Sequence, residues 1–168
     1  MPELRLDWSI EFSANPWNSS SAGRLALFSE TVRESTLKRV RQVRSGDEDW
    51  RPDPRALSFV DIVQHLVDAD VWILKYLEGS SGLRAVIAPG DAHASDWPFL
   101  TRELERLGGE RSRRIGEMAE EALAREVDEP QVLGRTSFWW LIVRGSLDHE
   151  IHHRGAFQLS LRLRYRSG

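Results

Sequence analysis

Cysteine is absent from this 168-residue chain, which excludes disulfides, thiolate metal sites and a cysteine nucleophile. Lysine is nearly absent: Lys38 and Lys75 stand alone, and arginine carries the remaining positive charge. No apolar run approaches the roughly 20 residues of a membrane span, so no membrane partner is expected. There is no basic excess, and a net charge of -3 argues against nucleic acid as a partner. Arg162, Arg164 and Arg166 form a short basic tail, but cations at a helix C-terminus are expected on dipole grounds alone. No glycine-rich phosphate loop and no nucleophile elbow occurs. The start, Met1-Pro2-Glu3-Leu4-Arg5, lacks a signal-peptide pattern, and the cytoplasm is the expected compartment.

What is present is ordinary for a soluble domain: 40% apolar and 29% charged residues. The length suits one domain, 1–168, with a real core. Residues 4–12 alternate, with Leu4, Leu6, Trp8, Ile10 and Phe12 apolar and Arg5, Asp7, Ser9 and Glu11 polar. That is a strand period. A lone strand in a helical chain has no sheet to join, so 1–18 is expected as an extended arm over a hydrophobic groove or a partner subunit. Asn15-Pro16-Trp17-Asn18 ends it.

From there the period becomes helical. Ser19 to Ser21 can cap a first helix over 22–44, with Leu25, Phe28, Val32, Val40 and Val43 as its apolar row. Ser58 with Asp61 predicts a capping box opening a second helix that stops near Gly79. Asp96 caps a third, with Pro98 in its first turn and an apolar row reaching Ala122. It is expected to extend to about residue 126 and to kink or break at Gly108-Gly109, since two helical glycines cost about 2 kcal/mol against alanines. Its Glu/Arg run reads as a solvated face laced with i,i+4 pairs. Asp128-Glu129-Pro130 stops it, and a plain connection through Gly134 leads to a cap at Thr136 or Ser137 and a fourth helix over 138–164. Trp139, Trp140, Leu141 and Val143 make that helix apolar nearly all round at its start, which predicts deep burial or a subunit contact.

The densest chemistry lies in Leu147-Asp148-His149-Glu150-Ile151-His152-His153-Arg154-Gly155. His149 and His153 are four apart, which puts both imidazoles on one helix face, one turn from each other. Such a pair chelates a divalent ion that needs further ligands. His65 shares a face with Ile62, Ala69, Trp72 and Tyr76 on the second helix, so it points inward. Four amphipathic helices with modest loops predict an all-α four-helix bundle, and bundles build metal sites from facing helices. If the second and fourth helices are neighbours, His65, His149 and His153 reach one depth and form a facial three-histidine site. Three protein ligands with open positions are the catalytic pattern. His93 reads as a solvated loop residue, and His152 lies about 100° off the pair face. Asp61, Asp68, Asp148 and Glu150 are candidates to orient a ligating imidazole, none of them assignable. Arg154 pairs either with a carboxylate of a neighbouring helix or with an anionic substrate.

Arg51-Pro52-Asp53-Pro54, Ser58-Phe59-Val60-Asp61-Ile62-Val63-Gln64-His65-Leu66 and His149-Glu150-Ile151-His152-His153-Arg154-Gly155 resemble the DinB/YfiT-like family of metal-dependent proteins over residues 22–165. The resemblance implies an up-down-down-up four-helix bundle, frequent homodimers, and nickel or zinc on His65, His149 and His153. It also implies a small-molecule substrate: relatives include transferases and isomerases that use a low-molecular-weight thiol, and hydrolase-like members. Relatives often carry Gln after the Arg-Gly, where Ala156 stands here. Two function classes follow. One is a metal-dependent enzyme activating water or a thiol; its catalytic residues beyond the ligands are not assignable. The other is a non-catalytic metal-binding or stress-related binding protein.

Overall fold

The computed structural model describes residues 20–80, 88–129 and 133–165. The alternating segment 4–12, the break at 15–18 and Arg166 lie outside the described residues. Helix α1 spans Ser21–Val40 and α2 spans Phe59–Leu77. A 3-10 turn over Ala94–Asp96 leads into α3, Trp97–Gly116. A short α4, Glu120–Ala124, precedes strands β1, Glu126–Glu129, and β2, Gly134–Ser137. The last helical run opens as α5, Phe138–Trp140, is π-wound over Leu141–Leu147, and continues as α6, Asp148–Tyr165. The chain is mostly helical, as expected.

The helix starts are set locally. Ser20 Oγ accepts from the Gly23 N–H at 3.0 Å and caps α1. Ser58 and Asp61 form the expected reciprocal box: the Asp61 N–H donates to Ser58 Oγ (3.2 Å) and the Ser58 N–H to Asp61 Oδ2 (2.9 Å). Ser137 caps α5 by accepting from the Trp140 N–H.

Pairs of contacts give the packing. Between α1 and α3 the pairs run in opposite sequence directions, from Ser29–Arg111 to Arg41–Glu105. Between α2 and α6 they also run oppositely, from Phe59–Phe157 to His65–His149. Glu78, just past the end of α2, meets Arg114 late in α3, while Arg33 of α1 and Arg44 in the turn beyond it meet Glu150 and Tyr165 of α6. Two apolar clusters fill the interior. One gathers Leu37, Phe59, Val63, Leu104, Phe157 and Leu161. The other gathers Leu25, Trp72, Ile73, Ile115, Phe138 and Ile142.

A closed set of four charges is buried among these helices: Arg33 of α1, Asp70 of α2, Arg111 of α3 and Glu150 of α6, each at most 4% exposed. Arg33 Nη2 donates to Asp70 Oδ2 at 2.6 Å and to Glu150 Oε2 at 2.9 Å. Arg111 donates to Asp70 Oδ1 at 2.6 Å, to Glu150 Oε2 at 2.9 Å, and through Nε to Ser29 Oγ at 3.0 Å. Burial opposes charge on Glu150, but Arg33 and Arg111 outweigh it and hold the carboxyl below its usual range. Arg111 likewise remains a cation because Asp70 and Glu150 outweigh its desolvation. The α3 Glu/Arg run is therefore not wholly a solvated face.

Three expectations need correction. First, α3 does not break at Gly108-Gly109. Gly108 is small because Arg33 crosses it: a Cβ there would lie 2.7 Å from Arg33 Cγ. Second, α3 stops at Gly116 instead of reaching residue 126. The chain turns so that Glu120 Oε1 accepts the Ser21 N–H at 2.8 Å, serving the start of α1. Third, the connection after α4 is an antiparallel hairpin pairing Glu126 with Ser137 and Glu129 with Gly134. Four-residue strands are too short for alternation to announce.

Two tests follow. Gly108→Ala is expected to cost about 1–3 kcal/mol by overpacking. Gly109→Ala, whose added Cβ meets nothing within 4 Å, is expected to gain about 0.5–1 kcal/mol. Urea unfolding of both variants checks the sign difference. Arg111→Leu leaves two buried carboxylates sharing one cation, and the same assay should show a loss of about 3–5 kcal/mol.

Candidate metal centre

The site is built by two helices. On α2 the capping box fixes the start, so His65, one turn beyond Asp61, comes out at the seam with α6. On α6, His149 and His153 project one turn apart into the same seam. His65 Nε2 lies 2.9 Å from His149 Nε2. Ring centroids are 4.8 Å apart for His65 and His149, 4.6 Å for His65 and His153, and 4.5 Å for His149 and His153. One ligand nitrogen from each ring falls within 4.8 Å of the others, and all three residues are half-buried. Among the described residues no other group of three or more His, Asp or Glu converges in this way.

The donor set suits a divalent ion. Nitrogens about 2.0–2.1 Å from a tetrahedral zinc would sit about 3.4 Å from one another. The triad needs only side-chain adjustment to reach that spacing. Half-burial leaves a face toward solvent, and the absence of cysteine removes the usual ligand that closes a structural site.

The surrounding candidates sort differently from one another. Glu150 turns away from the histidines into the four-charge set. It thereby fixes the rotation of α6 at the residue beside His149. Asp148 pairs with Arg144 one turn back. Asp68 accepts from Gln64 Nε2 at 2.8 Å, and burial raises its carboxyl pKa. Asp61 is fully buried and tethers the loop before α3: it accepts from the Gly90 and Ala92 N–H groups at 3.1 and 3.3 Å, and Arg51 lies 3.3 Å away. His152 is exposed, with its ring 5.2 Å from that of His153. His93 is exposed in the turn before α3. Arg154 is half-buried and makes no ion pair among the described residues. Ala156 is exposed, and Phe157 is the buried residue at that level.

Trp72 and Tyr76 continue the His65 face, and their contacts lie further along α2. Trp72 belongs to the apolar cluster with Leu25 and Phe138. Tyr76 packs on Trp72 at 5.1 Å and donates its hydroxyl to Glu129, tying α2 to β1. Burial, reinforced by the Glu129 carboxylate, pushes the Tyr76 hydroxyl up to about 12.

Sequence reasoning brought the three histidines together but missed the four-charge set behind them. Its signal was available: Arg33, Asp70 and Arg111 lie beside the apolar rows of their helices. Nothing in one helix alone says which of its charges is buried.

Residues 29–157 match the family model of the DinB superfamily. Among solved structures, a conserved protein from Enterococcus faecalis superposes with a TM-score of 0.64 at 15% identity, covering 86% of this chain and 96% of that one. No curated protein matches the chain.

Asp61 gives a pH test. Burial opposes its charge, but the Ser58, Gly90 and Ala92 hydrogen bonds hold its pKa below the ordinary 3.8. A depressed folded-state pKa contributes stability above about pH 4 that disappears as pH falls through the folded value. Asp61→Asn should therefore lose about 0.5–2 kcal/mol near neutrality. Its thermal midpoint should also fall less steeply than the wild type's between pH 5 and pH 2, as read by calorimetry.

Proposed function

Because the chain belongs to the DinB superfamily, we propose that it is a metal-dependent enzyme whose nickel or zinc ion is held by His65, His149 and His153. The observation that carries this reading is the convergence of three imidazoles from two helices at one half-buried point. The long helices are read as an up-down-down-up bundle, with α2 and α6 as the neighbours that frame the centre. When bound, the ion supplies Lewis acidity that lowers the pKa of water or of a low-molecular-weight thiol, or polarises a carbonyl.

The chain's own residues do the rest. The histidines offer neutral nitrogen donors and leave the solvent side open to a small molecule. Glu150, anchored by Arg33 and Arg111, holds the α6 turn that presents His149. Candidate reactions are thiol transfer, isomerisation through a thiol adduct, or hydrolysis. The competing reading is a metal-binding protein without turnover.

Metal analysis of untagged protein tests the reading. About one divalent ion per chain is expected for wild type, falling to near zero in His153→Ala with the fold retained by circular dichroism. No ion after loading with nickel or zinc would refute the site. A loaded protein inactive across a panel of thiol and ester substrates would favour the non-catalytic reading.

A further inference from the structure

The start of α5 is not as buried as its apolar sequence predicts. Phe138 is fully buried, but Trp139 is 36% exposed and Trp140 47%. Beside them on α1, Phe28 is 43% exposed. Two adjacent grooves run through this aromatic surface. One, about 400 Å³, lies between α1 and the last helical run and is lined by Leu25, Phe28, Trp139 and Val143. The other, about 390 Å³, lies beside α4 and the end of β2 and is lined by Leu123, Ala124, Trp139 and Trp140. Ser21 and Trp139 line both, so the grooves meet where the chain enters α1.

An aromatic patch of this kind on one end of a domain is costly to leave in water. The chain itself supplies a matching segment. Residues 4–12 carry five apolar side chains on one face of a strand-period pattern and four polar ones on the other. That apolar face needs a surface to rest on, and the segment joins the fold at Ser20, at the shared end of both grooves. The tether is long enough: the eight peptide steps from residue 12 to residue 20 reach about 26–29 Å. The α1 stretch from Ser21 to Phe28 is only about 10 Å long. Asn15-Pro16 offers a reversal point within that tether.

We infer that residues 4–12 lie across these two grooves of their own chain, with Leu4, Leu6, Trp8, Ile10 and Phe12 against Phe28, Trp139, Trp140 and Val143. Arg5, Asp7, Ser9 and Glu11 then face water. Tethering favours the chain's own segment over a second copy, because its effective concentration is of millimolar order. The arm then lies over the beginning of the helical run that carries His149 and His153.

The natural lack of cysteine makes the test direct. In the 168-residue chain, Ile10→Cys is combined in turn with Phe28→Cys, with Val143→Cys, and with Leu163→Cys near the opposite end of the last helix. After mild oxidation, non-reducing gels and intact mass should show a monomer lacking two hydrogens for the first or second pair, and little for the third. Disulfide-linked dimers in place of the monomer would overturn the inference and assign the grooves to a second copy. Equal coupling at all three positions, or none at Phe28 and Val143, would also overturn it. In a second measurement, Trp8→Ser combined with Ile10→Ser should raise the fluorescence of an apolar-surface dye about two-fold or more. Unchanged dye binding would refute the inference.

Discussion

Two arginines and two carboxylates, sealed from water among α1, α2, α3 and α6, constrain the rest of this molecule. Each charge comes from a different helix, and the set is neutral as a whole. Removing four ions from water is expensive, and mutual attraction in the interior offsets that cost only when the geometry closes. Here every pairing within the set is an ion pair between 2.6 and 2.9 Å. Such a set need not add net stability over an apolar core. Its stronger effect is on register: sliding or rotating one helix by a residue would strand a buried charge. On α1, Arg33 falls between the residues that join the two apolar clusters, and so do Arg111 on α3 and Glu150 on the last run. The polar set thus forms a waist between two greasy ends.

The histidine centre inherits its geometry from that waist. Glu150 is next to His149, so the pull of Arg33 and Arg111 on Glu150 fixes which way His149 faces. Asp70 does the same for α2, five residues beyond His65. At the other end of α2 the Ser58–Asp61 box and the Asp61 tether to Gly90 and Ala92 fix its start and depth. The histidine triad is therefore braced from both sides while these carboxylates are engaged elsewhere. The π-wound stretch Leu141–Leu147 lies immediately upstream. Its wide turns bury Leu141, Ile142, Gly145, Ser146 and Leu147 together, and place Ser146 Oγ 3.5 Å from Arg111. Wide turns of this type recur at functional sites, where they re-aim the side chains that follow.

Local chemistry was legible in the chain before any packing. A serine three residues before an aspartate can satisfy two orphan donors at once, so the start of α2 followed from sequence, as did its end near Gly79. The four-residue spacing of His149 and His153 makes a chelating face on any α-helix. The apolar row on α2 turned His65 inward. These features depend on bonds and spacings within one segment, which is why the sequence by itself determined them.

What packing decided is of another kind. Gly108 reads as a helix breaker until Arg33 is seen crossing it; the helix continues because its neighbour needs the space. The end of α3 follows from Glu120 reaching the start of α1, a contact between residues 99 apart in sequence. The hairpin gains a buried anchor only when Tyr76 reaches Glu129. Arg111 looks no different from the solvated arginines around it, yet it is fully buried, because its partners Asp70 and Glu150 arrive from other helices. Whether a charge can be buried depends on a counter-charge that the local sequence does not contain. That information exists only once the helices are assembled.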